Sequence, residues 1–525
     1  MQTTPPSPST ASASGAATVL RAAASVGASV CFANPGTTEM PLVGALDEDV
    51  GIRAVLGLFE GVCTGAADGY GRMLRKPATT LLHLGPGLAN GLANLHNARR
   101  ARTPILNIVG DHASWHLKHD APLTSDIESL ARPVSGWYRS VASAGHLWQD
   151  TVDGMQAALS RPGQVATLVV PVDFQQLSAP QQVQRAASAP AEASFDEARV
   201  GEVLRMLKSG QKTVLLLGDR ALSERGQVAA GRIASATGAR LFSETFPART
   251  ERGGGLPDID RLPYFPEVAI AALAGAVVVL AGAIAPVAYF GYEGLPSELA
   301  PPESLRALAE PGEAADAALE RLADLLEAPR VGSGVAPSRH VIEPGMLTPV
   351  AVGRILANAL PTDAIVSVEG GTCGYPFVTA SAVAARHTIL TNTGGAIGQG
   401  LPVALGAAVA CPDRRVFALQ SDGSAQYTIQ SLWTMARERL PVIMLITSNR
   451  RYGILQTELA RAGIEPGPQA KRLTLLDDPP LDWMALSQGY GVPAMRASTT
   501  QELDDALRKA LTRNSGPVLI EMCLP

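Results

Sequence analysis

The sequence predicts an α/β protein with three doubly wound parallel sheets, one in each of three successive domains. Two observations predict this class. Helix-like segments alternate with short apolar, strand-like runs along most of the 525 residues, and polar or Pro/Ala-rich segments interrupt this alternation twice. Helices between apolar runs imply parallel strands joined by right-handed crossovers. A chain of this length is also too long for one ordinary hydrophobic core.

The first predicted domain covers residues 15–185. Its strand-like runs include VCFANPG, RAVLGLF, ATTLLHLG and PILNIVGD. Residues 1–14 precede it and lack the basic start and apolar core of a signal peptide, so we expect a disordered tail. Residues 175–194, rich in Gln, Ala and Pro, are typical of a linker.

The second and third predicted domains cover residues 195–330 and 345–525. Strand-like runs in the second are TVLLLGDRA, ARLFSET and AVVVLAGA, and those in the third are AIVSVEGG, RRVFALQSDG, PVIMLITSN and PVLIEMCL. Ligands of open α/β sheets bind beyond the carboxyl ends of the strands. We therefore look for chemistry in the residues that follow each run.

Composition excludes several classes of function. The net charge of −5 provides no basic field for nucleic acid or anionic lipid. Residues 268–292 carry no charge, but they contain a proline and divide into a helix-like and a strand-like piece, which favours a buried helix and strand over a membrane span. Five cysteines without a CxxC pair are typical of a reduced, cytoplasmic protein.

Two runs of the third domain end on oxygen-bearing side chains, Asp422-Gly423-Ser424 and Asn449. If the strands are neighbours, a carboxylate and an amide oxygen meet at one sheet edge, and such ligands suit Mg²⁺, which completes its shell with phosphate and water. Gly423 permits close approach, and Ser424 can cap the following helix, whose N-terminus favours anions. The alternative is a plain turn and strand end.

This stretch resembles the cofactor motif of thiamine diphosphate-dependent 2-oxo acid decarboxylases and carboligases, which reads Gly-Asp-Gly and, further on, Asn-Asn. Ser421 and Ser448 replace the first glycine and the first asparagine of that motif. The resemblance implies that Asp422, Asn449 and the carbonyl of Arg451 bind Mg²⁺, which holds the cofactor's diphosphate.

A second segment of the family is similar to RAVLGLFEGVCTGAADGYGR, in which a strand leads into a glutamate and a Gly/Ala-rich helix. The resemblance implies that Glu60 hydrogen-bonds the aminopyrimidine N1′ of thiamine and favours its imino tautomer. The alternative is a glutamate that merely begins a helix. Two further segments resemble family loops around the pyrimidine ring. The first follows the first strand and contains Asn34, Pro35 and Gly36. The second follows the ATTLLHL strand and contains Gly85, Pro86 and Gly87.

The segment NTGGAIGQGLPVALGAA resembles acetolactate synthase catalytic subunits. In it, Ile397 matches the bulky residue that bends thiamine into its V shape, and the carbonyl of Gly395 matches the acceptor of the 4′-amino group. Ile397 could also be an ordinary core residue. The resemblance assigns further cofactor contacts to Gly371, Thr372, Gly423, Ser424, Tyr452 and Gly453.

The C-terminal segment LSQGYGVPAMRASTTQELDDALRKALTRNSGPVLIEM resembles benzoylformate decarboxylase, and His83 matches one of that enzyme's pocket histidines. Imidazole titrates near neutrality and could donate or accept a proton, although a structural histidine is the alternative. Other pocket positions depart from that enzyme, which favours a small or polar 2-oxo acid. These substrate-pocket positions are Thr37, Phe290, Ile454 and Glu458.

The segment DHASWHLKHD contains His112, His116 and His119. Three interpretations stay open for it, namely a pocket lining, an exposed surface loop and a zinc-binding histidine pair. Its place after the PILNIVG strand favours the pocket, and we include His112 among the substrate-pocket residues.

The resemblance therefore implies a thiamine diphosphate- and Mg²⁺-dependent lyase or transferase that decarboxylates or ligates a small or polar 2-oxo acid. True acetolactate synthesis and a catalytically silent, cofactor-binding homologue are alternatives. The middle domain lacks a GxGxxG fingerprint, which argues against FAD. Glu60 and Asp422 belong to different domains, so the resemblance implies a homodimer or homotetramer with active sites at the subunit interface.

Overall fold

The structure, a computed structural model, describes residues 13–178, 193–330 and 334–525. The chain forms two compact units, Met1–Gly71 with Arg75–Pro190 and Arg72–Leu74 with Ala191–Pro525. Three sheets dominated by parallel pairing confirm the predicted α/β class. Most of the expected tail and linker, at 1–12 and 179–192, lies outside the described residues, and the domain boundaries stay predictions.

The first unit contains a six-stranded parallel sheet covered by helices. Its strands are β1 (Val30–Asn34), β2 (Arg53–Leu56), β3 (Ala78–His83), β4 (Ile105–Asp111), β5 (Trp137–Ser140) and β6 (Val165–Pro171). Its helices are α1 (Gly15–Ser25), α2 (Met40–Ala45), α3 (Glu60–Leu74), α4 (Leu84–Ala101), α5 (Ile127–Ala131), α6 (Leu147–Leu159) and α7 (Val172–Gln176). The strand order is β2-β1-β3-β4-β6-β5.

The register of the central strands brings three polar residues to one edge of this sheet. Asn34 of β1 pairs with Leu82 of β3, and His83 pairs with Gly110 of β4. Because parallel strands end on the same side, Asn34, His83 and Asp111 all lie at the carboxyl edge.

The second unit begins with a smaller parallel sheet. In chain order, this part of the unit contains α8 (Glu197–Lys208), β7 (Thr213–Leu217), α9 (Glu224–Thr237), β8 (Arg240–Ser243), β9 (Arg249–Arg252), β10 (Asp260–Arg261), α10 (Pro266–Leu273), β11 (Val277–Ala281), β12 (Leu305–Ala309) and α11 (Ala315–Leu325), of which β9 belongs to another sheet. The strand order is β10-β8-β7-β11-β12. The uncharged stretch 268–292 lies in α10, in β11 and in the loop after them, as predicted. None of the described helices is both long and apolar enough to cross a membrane.

The same unit contains a seven-stranded sheet. Its helices are α12 (Pro349–Ala359), α13 (Gly371–Ala380), α14 (Gly400–Ala410), α15 (Asp422–Ala425), α16 (Ser431–Arg437), α17 (Gly453–Arg461), α18 (Pro468–Thr474), α19 (Trp483–Gly489) and α20 (Thr500–Leu511). Its strands are β13 (Ala364–Val368), β14 (His387–Thr391), β15 (Val416–Ser421), β16 (Val442–Ser448), β17 (Ala494–Ala497) and β18 (Val518–Cys523), joined by β9. The order is β17-β18-β16-β15-β13-β14-β9.

Strand β9 was not predicted. It runs antiparallel to β14, with Arg252 opposite His387, although its own segment lies among the strands of the smaller sheet. Its sequence, RTER, is polar and only partly buried. An edge strand has a neighbouring strand on one side only and is less buried than a central strand. Its side chains can therefore be polar, so no apolar pattern marks it in the sequence.

We predict that His387 makes the protein sensitive to acid. The side chain is fully buried at the start of β14, and burial lowers its pKa from 6.5 to about 4. Below pH 6.5 the unfolded chain binds this proton first, so the histidine removes stability as pH falls from 6.5 to about 4, by up to roughly 3 kcal/mol. Unfolding by denaturant at several pH values measures this loss.

The variant His387→Asn should flatten the pH dependence in that range, because it removes the titrating group. The exposed His146 serves as the control, and His146→Asn should leave the slope unchanged. Equal slopes for wild type and His387→Asn would contradict the assignment.

Candidate active site

In the second unit, the ends of β15 and β16 bring two predicted metal ligands together. The strands pair in parallel, with Ser421 opposite Thr447. Asp422 follows β15 directly, and Asn449 follows β16 directly. The prediction that these two strands are neighbours is therefore correct.

The Asp422 carboxyl group is held in place by backbone donors. The residue is 1% exposed, and its two oxygens accept hydrogen bonds from the N–H of Arg450 at 2.6 Å and of Gly423 at 2.9 Å. Burial raises its pKa, and these two N–H groups oppose the rise. A cation beside the carboxyl group would favour its ionised form further.

Asn449 and its neighbours form the other side of this edge. The Asn449 amide oxygen accepts a hydrogen bond from the Arg451 N–H at 3.2 Å, and the amide nitrogen donates to the Thr372 hydroxyl at 3.4 Å. A side chain at Gly423 would collide with the Tyr452 ring. Six predicted cofactor or metal residues, with Asp422 included, therefore lie together at one sheet edge.

One detail of the prediction is wrong. Helix α15 begins at Asp422, so Ser424 lies inside the helix instead of capping it. Its hydroxyl donates to the Ser421 carbonyl at 3.2 Å and to the Gln420 amide oxygen at 3.3 Å. The plain turn of the alternative interpretation is absent, because the helix begins at the residue after the strand.

The donor set at this edge fits Mg²⁺ bound together with a diphosphate. It offers one carboxylate, one amide oxygen and a backbone carbonyl, which are hard ligands, and Mg²⁺ completes its shell with phosphate and water. Within the described ranges, no group of three or more His, Cys, Asp or Glu side chains could hold a metal ion.

The loop between β14 and α14 carries the two residues matched to the bend of the cofactor. Gly395 has a φ of +78°, and a side chain there would collide with the Tyr289 hydroxyl. Ile397 is 37% exposed, so it is not the ordinary core residue of the alternative interpretation. Its apolar side chain is available to a ligand.

Phe290, Ile454 and Glu458 also belong to the second unit. Phe290 and Ile454 are about half exposed, at 55% and 51%. The Glu458 carboxylate accepts a hydrogen bond from the Tyr292 hydroxyl at 3.2 Å. This bond joins the loop that contains Phe290 to helix α17, which contains Ile454 and Glu458.

In the first unit, Glu60 begins helix α3 and is only 9% exposed. The Asn90 amide donates to one of its carboxyl oxygens at 3.0 Å. A side chain at Gly87 would lie 3.2 Å from the other oxygen, so the glycine leaves this oxygen open on that side. A buried glutamate with one amide partner differs from the exposed glutamate that usually begins a helix.

His83 has a partner that the sequence analysis did not identify. Its Nδ1 lies 2.8 Å from the carboxylate of Glu39, which is fully buried. The Gly36 N–H and the Thr38 hydroxyl donate to the same carboxylate, at 2.7 and 2.6 Å. A carboxylate acceptor fixes the Nδ1–H tautomer and leaves Nε2 free for chemistry. A glutamate five residues after the first strand was the available signal.

The histidine segment after β4 does not form the helix on which the zinc interpretation rested. The rings of His112, His116 and His119 follow one another with centroids 5.6 and 5.5 Å apart. His112 directly follows β4 and His116 directly precedes a single 3-10 turn, so this pair does not lie on an α-helix. The prediction of a zinc pair on one helix is therefore wrong in its premise.

The other predicted residues of the first unit lie at or after the carboxyl ends of its strands. Asn34 donates to the Gly57 carbonyl at 2.8 Å, and Thr37 is exposed. Gly85, Pro86 and Gly87 are not in a loop as predicted, because α4 begins at Leu84. His112 follows β4, and its Nε2 is buried without a hydrogen-bond partner.

Comparison with protein families gives two matches. Residues 13–130 match the thiamine pyrophosphate enzyme, N-terminal TPP binding domain, and residues 371–522 match the corresponding C-terminal TPP binding domain. The N-terminal match contains Glu60 and His83, and the C-terminal match contains Asp422 and Asn449.

Individual proteins align over nearly the whole chain. A Mycobacterium tuberculosis protein provisionally named acetolactate synthase large subunit IlvX is 48% identical, over 97% of this chain and 99% of its own. Benzoylformate decarboxylase of Pseudomonas aeruginosa is 30% identical, over 94% and 96%. The solved thiamine diphosphate-dependent 4-hydroxybenzoylformate decarboxylase of Rhodococcus jostii RHA1 shares the fold, with a TM-score of 0.85 at 24% identity over 97% and 99%.

We predict that the space left by Gly110 is required for the buried pair of Glu39 and His83. A side chain at Gly110 would collide with the Glu39 carboxyl group. Gly110→Ala should therefore destabilise the protein by about 1 to 3 kcal/mol in denaturant unfolding.

Gly44→Ala is the matched control, because Gly44 lies in helix α2 with open space around it, and alanine there should be neutral or stabilising. In a protein that already carries Glu39→Ala, the further change Gly110→Ala should lower the free energy of unfolding much less than it does in the wild type. An equal cost of Gly110→Ala in both backgrounds would contradict the collision.

Proposed function

This chain belongs to the thiamine pyrophosphate enzyme family, and from that premise we propose that it is a Mg²⁺-dependent 2-oxo acid decarboxylase or carboligase that uses a small or polar substrate. The family contains both decarboxylases and acetolactate synthases. The observation that carries the proposal is the meeting of Asp422 and Asn449 at the ends of two paired strands.

Mg²⁺ would be held by the Asp422 carboxylate, the Asn449 amide oxygen and the Arg451 carbonyl. The bonds from Arg450 and Gly423 fix the carboxylate, so that little rearrangement is needed on binding. Gly371, Thr372, Ser424, Tyr452 and Gly453 would surround the diphosphate. The cofactor, when bound, supplies the electron sink for breaking the carbon–carbon bond next to the substrate carbonyl.

Glu60 would hold a proton between its carboxyl oxygen and the pyrimidine ring. Asn90 occupies one carboxyl oxygen, and the other is open where Gly87 has no side chain. Asn34, Pro35 and Gly36 would lie beside the same ring. In the second unit, Ile397 and the Gly395 carbonyl are the groups that would bend the cofactor.

His83 would donate and accept protons at Nε2, because Glu39 occupies Nδ1. Glu39 is then a positioning residue, since it touches the histidine and not the substrate. This pair is a general acid–base arrangement of the kind that contributes about 100- to 10,000-fold to a rate.

The proposed substrate-pocket residues are Thr37 and His112 in the first unit and Phe290, Ile454 and Glu458 in the second. A carboxylate at Glu458 disfavours a second acidic group on the substrate. Acetolactate synthesis is the second candidate function, and the 48% identical relative provisionally named acetolactate synthase favours it. A silent homologue has no comparable support.

We further propose a cytoplasmic homodimer or homotetramer whose active sites lie at the subunit interface. The five cysteines are all unpaired, as expected in a reducing compartment.

The first test is exchange of the C2 proton of bound thiamine diphosphate in deuterated water, followed by NMR. Glu60→Gln should slow this exchange at least about 100-fold at saturating cofactor, because the amide cannot share a proton with the pyrimidine ring. Glu197→Gln is the matched control, since Glu197 also begins a helix but is exposed. Equal exchange in wild type and Glu60→Gln would overturn the role of Glu60.

The second test is carbon dioxide release from pyruvate, 2-oxobutanoate, 2-oxoglutarate and benzoylformate. We expect kcat/KM for the small aliphatic acids to exceed that for benzoylformate by at least about tenfold. Removal of metal with EDTA should abolish release, and Mg²⁺ should restore it. Acetolactate among the pyruvate products would indicate carboligation, and acetaldehyde alone would indicate simple decarboxylation. A preference for benzoylformate would refute the small-substrate proposal.

A further inference from the structure

The backbone of the loop between β14 and α14 is hydrogen-bonded to the carboxylate of Glu369, a residue that has no role in the proposed chemistry. Glu369 follows strand β13, and its oxygens accept hydrogen bonds from three consecutive backbone N–H groups of the loop. These come from Gly398 at 2.5 Å, Gln399 at 3.2 Å and Gly400 at 2.8 Å. The Asn392 amide adds a longer contact at 3.5 Å.

The negative charge of Glu369 is balanced by N–H dipoles rather than by a cation. No Lys, Arg or His forms an ion pair with it in the described part of the chain. Burial raises the pKa of this carboxyl group, and the N–H groups of Gly400, Gln399 and Gly398 oppose the rise. An unpaired carboxylate in such surroundings is costly unless hydrogen bonds satisfy it, so the loop conformation and the carboxylate depend on each other.

Further hydrogen bonds hold the loop before and after the residues that contact Glu369. The Thr428 hydroxyl donates to the Gly398 carbonyl at 2.7 Å. Asn392 spans the loop, accepting from the Gly395 N–H at 2.9 Å and donating to the Ala396 carbonyl at 2.9 Å. Gly395 and Gly398 have φ values of +78° and +95°, which glycine adopts without strain, so the hydrogen bonds hold an unstrained backbone.

The side chain of Ile397, in the middle of this loop, is exposed to solvent. Ile397 is 37% exposed although its neighbours on either side are held by hydrogen bonds. A rigid loop that displays an exposed apolar residue is suited to fixing the position of a ligand.

We infer that Glu369 is the positioning residue that sets the place of Ile397 and of the Gly395 carbonyl beneath the cofactor. This inference rests on the proposed function, because it assumes that those two groups contact thiamine diphosphate. Glu369 acts through the loop and does not itself touch the reacting atoms. Its contribution would be to keep those two groups in place, so that they bend the cofactor when it binds.

The variants Glu369→Gln and Glu369→Asp separate geometry from charge. The amide of Gln is isosteric, but one of its two ends is a donor facing backbone donors. Asp keeps the charge but is one methylene too short to reach all three N–H groups. Positioning predicts that both variants slow C2 exchange of bound thiamine diphosphate at least tenfold at saturating cofactor. If Asp restores the wild-type rate, charge alone matters and the inference is wrong.

A purely structural role must be distinguished, because Glu369 also accepts N–H bonds at the start of helix α14. Thr348→Ala is the matched control, since Thr348 caps helix α12 of the same unit through the Ala351 N–H at 3.2 Å. Loss of that cap should lower Tm without changing C2 exchange below the unfolding temperature. A Glu369→Gln variant with lowered Tm and unchanged exchange would overturn the inference.

A measurement without cofactor completes the test. Hydrogen–deuterium exchange mass spectrometry of the cofactor-free protein should show loss of protection in the peptide that contains residues 392–400 in Glu369→Gln, but not in Thr348→Ala. If Glu369→Gln does not fold, Asn392→Ala removes the internal brace while keeping the carboxylate, and it should give the same slow C2 exchange. Normal exchange in a folded Asn392→Ala protein would contradict the role of the loop.

The two proposals fail in different ways. Absence of any C2 exchange in the wild-type protein, with thiamine diphosphate and Mg²⁺ present, would overturn the proposed function. Normal wild-type exchange that Glu60→Gln abolishes and that both Glu369 variants leave unchanged would overturn the inference about Glu369 alone.

Discussion

The parallel pairing of β15 with β16 is the interaction on which the proposed cofactor site depends. It holds Ser421 opposite Thr447, and Asp422 lies one residue beyond Ser421 while Asn449 lies two residues beyond Thr447. Both strands are almost entirely buried, with core on both faces of the sheet. A shift of one residue in their pairing would move the carboxylate away from the amide.

A second constraint is the space needed by closely packed side chains, and glycines provide it beside several of the proposed functional residues. Gly110 and Gly36 make room for the Glu39–His83 pair, and Gly423 does so for Tyr452. Hydrogen bonds then hold the polar groups that these gaps admit. Polar groups buried this closely are stable only when they are satisfied, so the positions of the donors and acceptors are set together. The loop held by Glu369 follows the same principle with a backbone that is rich in glycine.

Much of the fold could be predicted because buried parallel strands are marked by uninterrupted apolar runs. Strands β13, β15, β16 and β18 are all visible in this way, as is the division of residues 268–292 into a helix and a strand. Strand β9 could not be predicted, because its RTER sequence has no apolar pattern and its partner β14 lies far along the chain. The helical position of Gly85 and of Ser424 was missed for a related reason, since glycine and serine are more common in turns than in helices.

The sequence by itself determined the α/β class, the order of the strands along the chain, and the residue types that end them. It also placed Glu60 and Asp422 in recognisable segments, because those segments are continuous along the chain. Only the tertiary structure decided that Glu39 is the partner of His83, that Asn90 binds Glu60, and that Glu369 holds residues 398–400. Each of these contacts joins residues distant in sequence, and such proximity arises from strand order and packing, which no local pattern records.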